Sequence, residues 1–393
     1  MLELPDALAI ATDLAFGRRV GTERVDLLDA FHRVLAEDVA SDIDLPPFSQ
    51  STRDGFACRR ADLGNDLAVV ETIAAGRVPQ WAIGPNQCAR IMTGAAIPEG
   101  ADCVVMLEHA EQPGDATVRC VSNSLEDYIC PQGAHTTAGA TILHAGELIE
   151  AQHIALLAGA GCSRPLVSRR PTVGVIATGS ELVEPDERPG LGQIRNSNSF
   201  QLSAMVLGAL AVPRNYGLVA DDREAIQTAL RNAMAENDVV VLSGGISKGD
   251  YDFVRDILEE NVVELVFDGA SIHSGRPIVF GVSDTAFCFG LSGNPVSNFV
   301  MFESIVRPFL HAMAGHRFKP AASRGELAGA IRRRKADKDL WLPVVIAEDG
   351  RVHPIESRSP MGIAALCGAN GLVHLPAGVP GLAEGGIVAV RRM

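Results

Sequence analysis

Between Thr172 and Ser297 the chain alternates continuous apolar runs with amphipathic ones, and this alternation restricts the fold more than any other feature of the sequence. "TVGVIATG" is followed by the helix-patterned "NSFQLSAMVLGAL", the strand-like "VPRNYGLVAD" and the helix-patterned "DREAIQTALRNAMAE". Then come "DVVVLSGG", a further helix, "TAFCFGLSGNP" and the amphipathic "VSNFVMFESIVRPFL". Unbroken apolar strands separated by helices predict a doubly wound α/β unit, a parallel sheet covered on both faces. Ligands of such sheets settle outside the carboxyl ends of the strands.

Three of the predicted strands end in glycine turns, Thr178-Gly179, Ser243-Gly244-Gly245 and Gly293-Asn294-Pro295. A glycine turn between a strand and a helix exposes backbone N–H groups at the positive end of a helix dipole, where an anion, above all a phosphate, is stabilised. The spacing matches neither GxGxxG nor GxxxxGK[ST], so dinucleotide and P-loop sites are not supported. Carboxylates gather beside the same turns: Glu181, Asp221, Asp222, Asp250 and Asp252. Beside an anion they oppose binding unless a hard divalent cation such as Mg²⁺ lies between them and the phosphate. For Asp222 and Asp250, capping of a helix N-terminus is an equal alternative. Glu181 and Asp252 are the stronger candidates for ligands.

At 393 residues and 47% hydrophobic content, the chain exceeds one compact domain and predicts two to four. "PDALAIATDLAF" and "DLLDAFHRVLAEDV" carry helical spacing, with Asp6 and Asp26 or Asp29 as N-terminal caps. From "DIDLPPF" to Cys130 short β-branched runs with Gly and Pro punctuation predict a β-rich domain, and "AGATILHAGELIEAQHIALLAGAG" returns to a helical pattern. Beyond Pro320, "WLPVVIAED", "NGLVHLPAG" and "GIVAVRRM" predict a small C-terminal β domain. The expected division is 1–40 with 132–170 as a helical linker and dimerisation domain, 41–131 as the β-rich domain, 171–316 as the α/β domain and 317–393 as the C-terminal β domain.

The formal charge of −14 argues against nucleic acid and anionic membrane, which reward clustered Lys and Arg. No leader pattern opens the chain and no run approaches the roughly 18 apolar residues of a membrane span, so a cytoplasmic location is expected. The eight cysteines form no CxxC and the ten histidines no HxxxH or HExxH. Reduced, mostly buried thiols follow, and a His/Cys metal site does not.

These segments together resemble a known family. "GVIATGSEL", "GQIRNSNSFQL", "VVVLSGGISKGDYDFV", "GRPIVFG" and "GLSGNPVSNF", with "PPFSQSTRDGFA" and "RIMTGAAIPEGADCVVMLE" upstream, are similar to the molybdopterin molybdenumtransferases: the bacterial MoeA proteins and the E domain of gephyrin. The resemblance covers essentially the whole chain, in the family's order. It implies an elongated homodimer of multidomain subunits whose doubly wound, MogA-like central domain binds molybdopterin, the cleft being completed by the partner's β-rich domain. It implies a Mg²⁺-dependent reaction that inserts molybdate at the dithiolene of adenylylated molybdopterin and releases AMP. Further partners would be the adenylyltransferase that makes this substrate and a molybdoenzyme or its chaperone.

By position in the family's motifs, Asp54, Thr93, Asp252 and Arg276 would be catalytic, and Glu181, Asp221 and Asp252 would hold Mg²⁺. Gly179, Ser243, Gly244, Gly245, Ser247, Gly293, Asn294, Pro295 and Ser297 would bind the phosphorylated pterin. Departures accompany the matches. Arg53 stands beside Asp54, which would favour its ionised form. Gly133-Ala134-His135 replaces "Gly-Glu-Asp", the two lysines of "Lys-Pro-Gly-Lys-Pro" are His273 and Arg276, and the Ser pair before "ANGL" is Ala364-Ala365. Two readings therefore stand: an active molybdenumtransferase, and a divergent paralogue that binds or delivers molybdopterin without efficient metal insertion.

Overall fold

The computed structural model describes residues 2–114, 116–120, 126–245, 253–261, 264–271, 278–333, 335–355 and 362–393. Its centre is a six-stranded sheet in the spatial order Val212–Val219, Thr172–Thr178, Val239–Ser243, Phe287–Leu291, Val279–Val282 and Glu264–Asp268. The first four strands are parallel. The last two form an antiparallel hairpin on that edge. The sequence pattern shows the four parallel strands and misses the hairpin.

Alternate side chains of the central strands enter opposite cores. Val239, Val241, Phe287 and Phe289 pack with Leu202 and Met205 from the helix Asn198–Gly208, with Phe302 from the π-helical segment Phe302–Val306 and with Phe309 from the helix Arg307–Met313. Val240, Leu242 and Cys288 pack with Ile226, Leu230, Ile257 and Leu258 from the helices Arg223–Glu236 and Phe253–Asn261. A strand buried on both faces has no polar side to show, which is why these runs read as continuously apolar. The first helix, Leu4–Gly17, joins the first of these cores. Ala7, Ala11 and Ala15 are wholly buried, and this small-residue stripe lets it lie close against Arg307–Met313.

The β-rich unit is a six-stranded sheet ordered Cys103–Met106, Gly55–Cys58, Gln87–Ile91, Asp66–Ile73, Thr117–Cys120 and Ala110–Gly114. At the C-terminus five antiparallel strands follow the order Ala322–Glu326, Ile387–Arg392, Gly371–Leu375, Leu340–Ile346 and Val352–Pro354. Among the described residues no helix is long and apolar enough to cross a membrane.

One helical expectation is corrected. In "DLLDAFHRVLAEDV" only a 3₁₀ turn, Leu28–Ala30, forms. Val34 and Leu35 instead bridge to Leu148 and Val167, and Val39–Ala40 pairs with Thr141–Leu143. Burial of Val34, Leu35 and Val39 in this pairing outweighs a weak helical propensity. The expected helical stretch after Ala140 likewise contracts to Ala151–Gly159.

Candidate active site

Strand order locates the site before any residue is considered. The chain leaves Thr172–Thr178 through a helix on one face and reaches the edge strand Val212–Val219. It then crosses by a helix on the other face to Val239–Ser243, on the far side of the first strand. The connections diverge between Thr172–Thr178 and Val239–Ser243, and such a switch point opens a crevice at the carboxyl ends.

A cleft of about 380 Å³ lies there. Gly179, Glu181, Asp221, Ser243, Gly244, Gly245, Gly293 and Pro295 all line it, so three turns spread across more than a hundred residues of sequence share one wall. Their approach is close enough to require glycine. Gly244 has φ +101°, and a Cβ there would stand 2.3 Å from the carbonyl oxygen of Thr178. A Cβ on Gly293 would lie 3.7 Å from the Gly244 Cα.

The polar groups divide between those that hold the cleft and those that face it. Ser243 Oγ accepts hydrogen bonds from Asn198 Nδ2 at 2.8 Å and Asn298 Nδ2 at 3.0 Å. Asn198 Nδ2 also donates to the Gly293 carbonyl at 2.8 Å, so one amide ties two turns together. Asn294 and Ser297 do not line the cleft. Asn294 Oδ1 accepts from the N–H groups of Val296 and Ser297, at 3.1 and 3.0 Å, and from Ser297 Oγ at 3.2 Å. The helix end expected to face an anion is thus capped by its own asparagine, as helix N-termini favour. Asp221 Oδ1 accepts from Thr178 Oγ1 at 3.2 Å, while its neighbour Asp222 caps Arg223–Glu236 by accepting from Glu224 N–H at 3.1 Å.

Sequence reasoning missed Arg195, Asn196, Ser197 and Asn198, which also line the cleft. Their signal was the polar "RNSNS" ahead of an apolar helix, which reads equally well as an ordinary cap. Ser247, Asp252 and Arg276 lie outside the described residues, as do Asp250 and His273.

Asp54 and Thr93 meet each other and do not line the cleft. Asp54 precedes Gly55–Cys58 and Thr93 follows the neighbouring antiparallel strand Gln87–Ile91, so both sit at one end of the β-rich sheet. Thr93 donates to Asp54 Oδ1 twice, from its N–H at 2.7 Å and from Oγ1 at 2.8 Å. These bonds, the backbone one first, hold the Asp54 carboxyl below the ordinary carboxylate range, with a smaller contribution from Arg90. Arg53, the sequence neighbour expected to do this, is not among the causes.

The donor set suits a hard cation. Glu181 and Asp221 face the cleft with hydroxyl and carbonyl oxygens, and among the described residues no thiol or imidazole lines it. Among the described residues no group of three or more His, Cys, Asp or Glu is placed to hold a metal, so water and substrate oxygens would complete the shell.

Three family models together match nearly the whole chain. The model of the MoeA N-terminal region (domain I and II) matches residues 2–161. That of the "Probable molybdopterin binding domain" matches 174–312, and that of the MoeA C-terminal region (domain IV) matches 324–392. A molybdopterin molybdenumtransferase of Staphylococcus epidermidis is 33% identical over 377 residues, covering 93% of this chain and 90% of its own. One of Bacillus subtilis is 31% identical over 389 residues, covering 95% and 90%. The crystal structure of a molybdopterin biosynthesis moeA protein from Pyrococcus horikoshii superposes over the full length of both chains with a TM-score of 0.86 at 28% identity. With the same order of units, the same central fold and relatives of that identity over nearly its whole length, the chain belongs to the molybdopterin molybdenumtransferase family of molybdenum cofactor biosynthesis.

Proposed function

We propose that this chain is a cytoplasmic enzyme that inserts molybdate into adenylylated molybdopterin, with release of AMP, in a Mg²⁺-dependent reaction. One observation carries the reading: glycine turns and two carboxylates converge on a single cleft at the switch point of the central sheet. Gly179, Gly244, Gly245 and Gly293 leave room for a phosphate to approach the backbone, and Ser243, Asn198 and the N-capping Asn294 keep those turns in register. Glu181 and Asp221, with Asp252 beyond the described residues, would hold Mg²⁺. The ion, when bound, supplies charge neutralisation at the phosphoanhydride. Arg276 would add a permanent cation near the leaving AMP.

Two donors from Thr93 hold the Asp54 carboxyl below the ordinary carboxylate range and fix its orientation, so it would accept a hydrogen bond and orient a protonated group. It reaches the cleft in the shared site of a homodimer. Two features support that assembly. Among the described residues the cleft is lined from the central unit alone, and Phe200 and Leu207, one helical face of Asn198–Gly208, are 50% and 61% exposed. The boundaries 1–40 with 132–170, 41–131, 171–316 and 317–393 are part of the same proposal.

The divergent reading rests on His135 and Ala364, exposed where the family pattern has a carboxylate and a serine, and on His273. One assay separates the two. Purified protein is incubated with adenylylated molybdopterin, molybdate and Mg²⁺, and AMP and metal-loaded cofactor are quantified, with Asp54→Asn alongside. AMP release that vanishes in the variant establishes the enzyme. Tight pterin binding with no AMP release from either protein establishes the carrier.

A further inference from the structure

In a chain with a formal charge of −14, one surface gathers arginines that, among the described residues, have no carboxylate within ion-pair distance. The helices Leu4–Gly17 and Arg307–Met313 end side by side, where Val20 N–H donates to the Met313 carbonyl at 3.0 Å. The strand Leu166–Ser168 closes against them. Ser168 Oγ donates to the Ala314 carbonyl at 2.7 Å, and Arg169 N–H donates to the Gly21 carbonyl at 2.7 Å.

Three exposed arginines stand on this junction. The guanidinium carbons of Arg19 and Arg317 lie 5.4 and 5.3 Å from the centroid of the Phe16 ring. Arg19 Nη1 is 3.4 Å from where a Cβ on Gly315 would be, and Arg169 Nε is 3.0 Å from the corresponding position on Gly21. Arg170, next to Arg169, and Lys319, two residues beyond Arg317, are also exposed. Eleven described arginines lie within ion-pair distance of a carboxylate. Arg19, Arg169 and Arg317 have no such partner among the described residues, a condition they share with other exposed arginines such as Arg77 and Arg332; what sets them apart is that they stand together on adjoining segments.

Gathering like charges is unfavourable unless something of opposite sign balances them. The two helix C-termini supply about half a negative charge each, roughly one unit against at least three cations. An external anion would supply the rest. Small-molecule sites bury most of their ligand, whereas these three guanidiniums are exposed and line neither the active-site cleft nor the apolar groove beside the C-terminal sheet. The overall negative charge disfavours nucleic acid. Planar forks on an exposed face suit bidentate contacts with a row of carboxylates.

We propose that Arg19, Arg169 and Arg317 form a docking surface for an acidic segment of a partner protein. The probe is a fluorescein-labelled decaglutamate peptide, with binding followed by anisotropy at low and at physiological ionic strength. The triple variant Arg19→Gln, Arg169→Gln, Arg317→Gln is compared with Arg77→Gln, Arg332→Gln, Lys335→Gln, which removes the same charge from exposed positions elsewhere. The expected result is salt-sensitive binding that weakens about tenfold or more in the first triple and little in the second.

Equal weakening in both triples, or no binding by the unaltered protein at low salt, would overturn the proposal. Tighter binding of a decathymidylate that is lost in the same triple would also overturn it, in favour of nucleic acid. Thermal melting checks that both variants fold. Should the first triple fail, Arg317→Gln alone is held to the same comparison against Arg332→Gln.

Discussion

Replacing Gly244 by alanine tests whether the cleft depends on the close approach of two strand ends. The added Cβ would stand 2.3 Å from the Thr178 carbonyl oxygen, where real contacts do not fall below 3.0 Å, so the ends of Thr172–Thr178 and Val239–Ser243 must part by about 0.7 Å. The residue must also hold φ +101°, which costs a non-glycine residue of order 1–3 kcal/mol. For a unit of this size that corresponds to a fall in melting temperature of roughly 5 °C. Displacement of the cleft wall by a good fraction of an ångström should cost up to ~10²-fold in turnover.

Gly293→Ala is the matched control. Its nearest contact would be an ordinary 3.7 Å and its φ is not in the left-handed region, so its melting should stay within about 0.5 kcal/mol of the parent. Melting by circular dichroism and AMP release from adenylylated molybdopterin are the two measurements. Unaltered melting together with unaltered turnover in Gly244→Ala would refute the reasoning.

Three further outcomes are expected. Asp222→Ala should lose ~1 kcal/mol of stability with the cap and keep AMP release, whereas Asp221→Asn should leave melting nearly unchanged and raise the Mg²⁺ concentration needed for half-maximal rate; a Mg²⁺ titration beside a melt decides between them. Thr93→Val removes the hydroxyl donor, so the Asp54 pKa should rise toward the ordinary carboxylate value and the acid limb of the pH–rate profile should move to higher pH; an unmoved limb would deny Asp54 its role. His311, buried against His316 and Phe318, has its pKa pushed down to about 3, mainly by burial. Between about 3 and the ordinary value of 6.5 the unfolded chain takes up a proton that the folded chain refuses, so stability should fall by several kcal/mol as pH drops through that window. His311→Phe should flatten this dependence in melts recorded across pH.

The parallel strands and their glycine turns were legible because a strand covered on both faces must be apolar throughout and a tight exit must use glycine. Glu181 was legible for a related reason: a carboxylate directly after such a turn has few places to go but the strand end, whereas Asp221 was marked as a ligand only by its place in the family's motifs. The antiparallel hairpin Glu264–Asp268 and Val279–Val282 was not, since edge pairing leaves no periodic mark that separates it from a crossover. Asn198 was invisible as a tie between two turns because its partners, Ser243 and Gly293, are remote in sequence.

What the sequence determined by itself was local: which runs are strands and helices in the central unit, where glycine is required, and which family's motifs appear in order. Tertiary structure alone decided which of two adjacent aspartates faces the cleft and which caps a helix. It also turned the donors at Val296 and Ser297 toward Asn294 and set Thr93, not Arg53, against Asp54. Periodicity and turn chemistry act over a few residues and so leave a trace in the chain, whereas a hydrogen bond is awarded to whichever group packing brings within about 3 Å, and packing is a property of the whole fold.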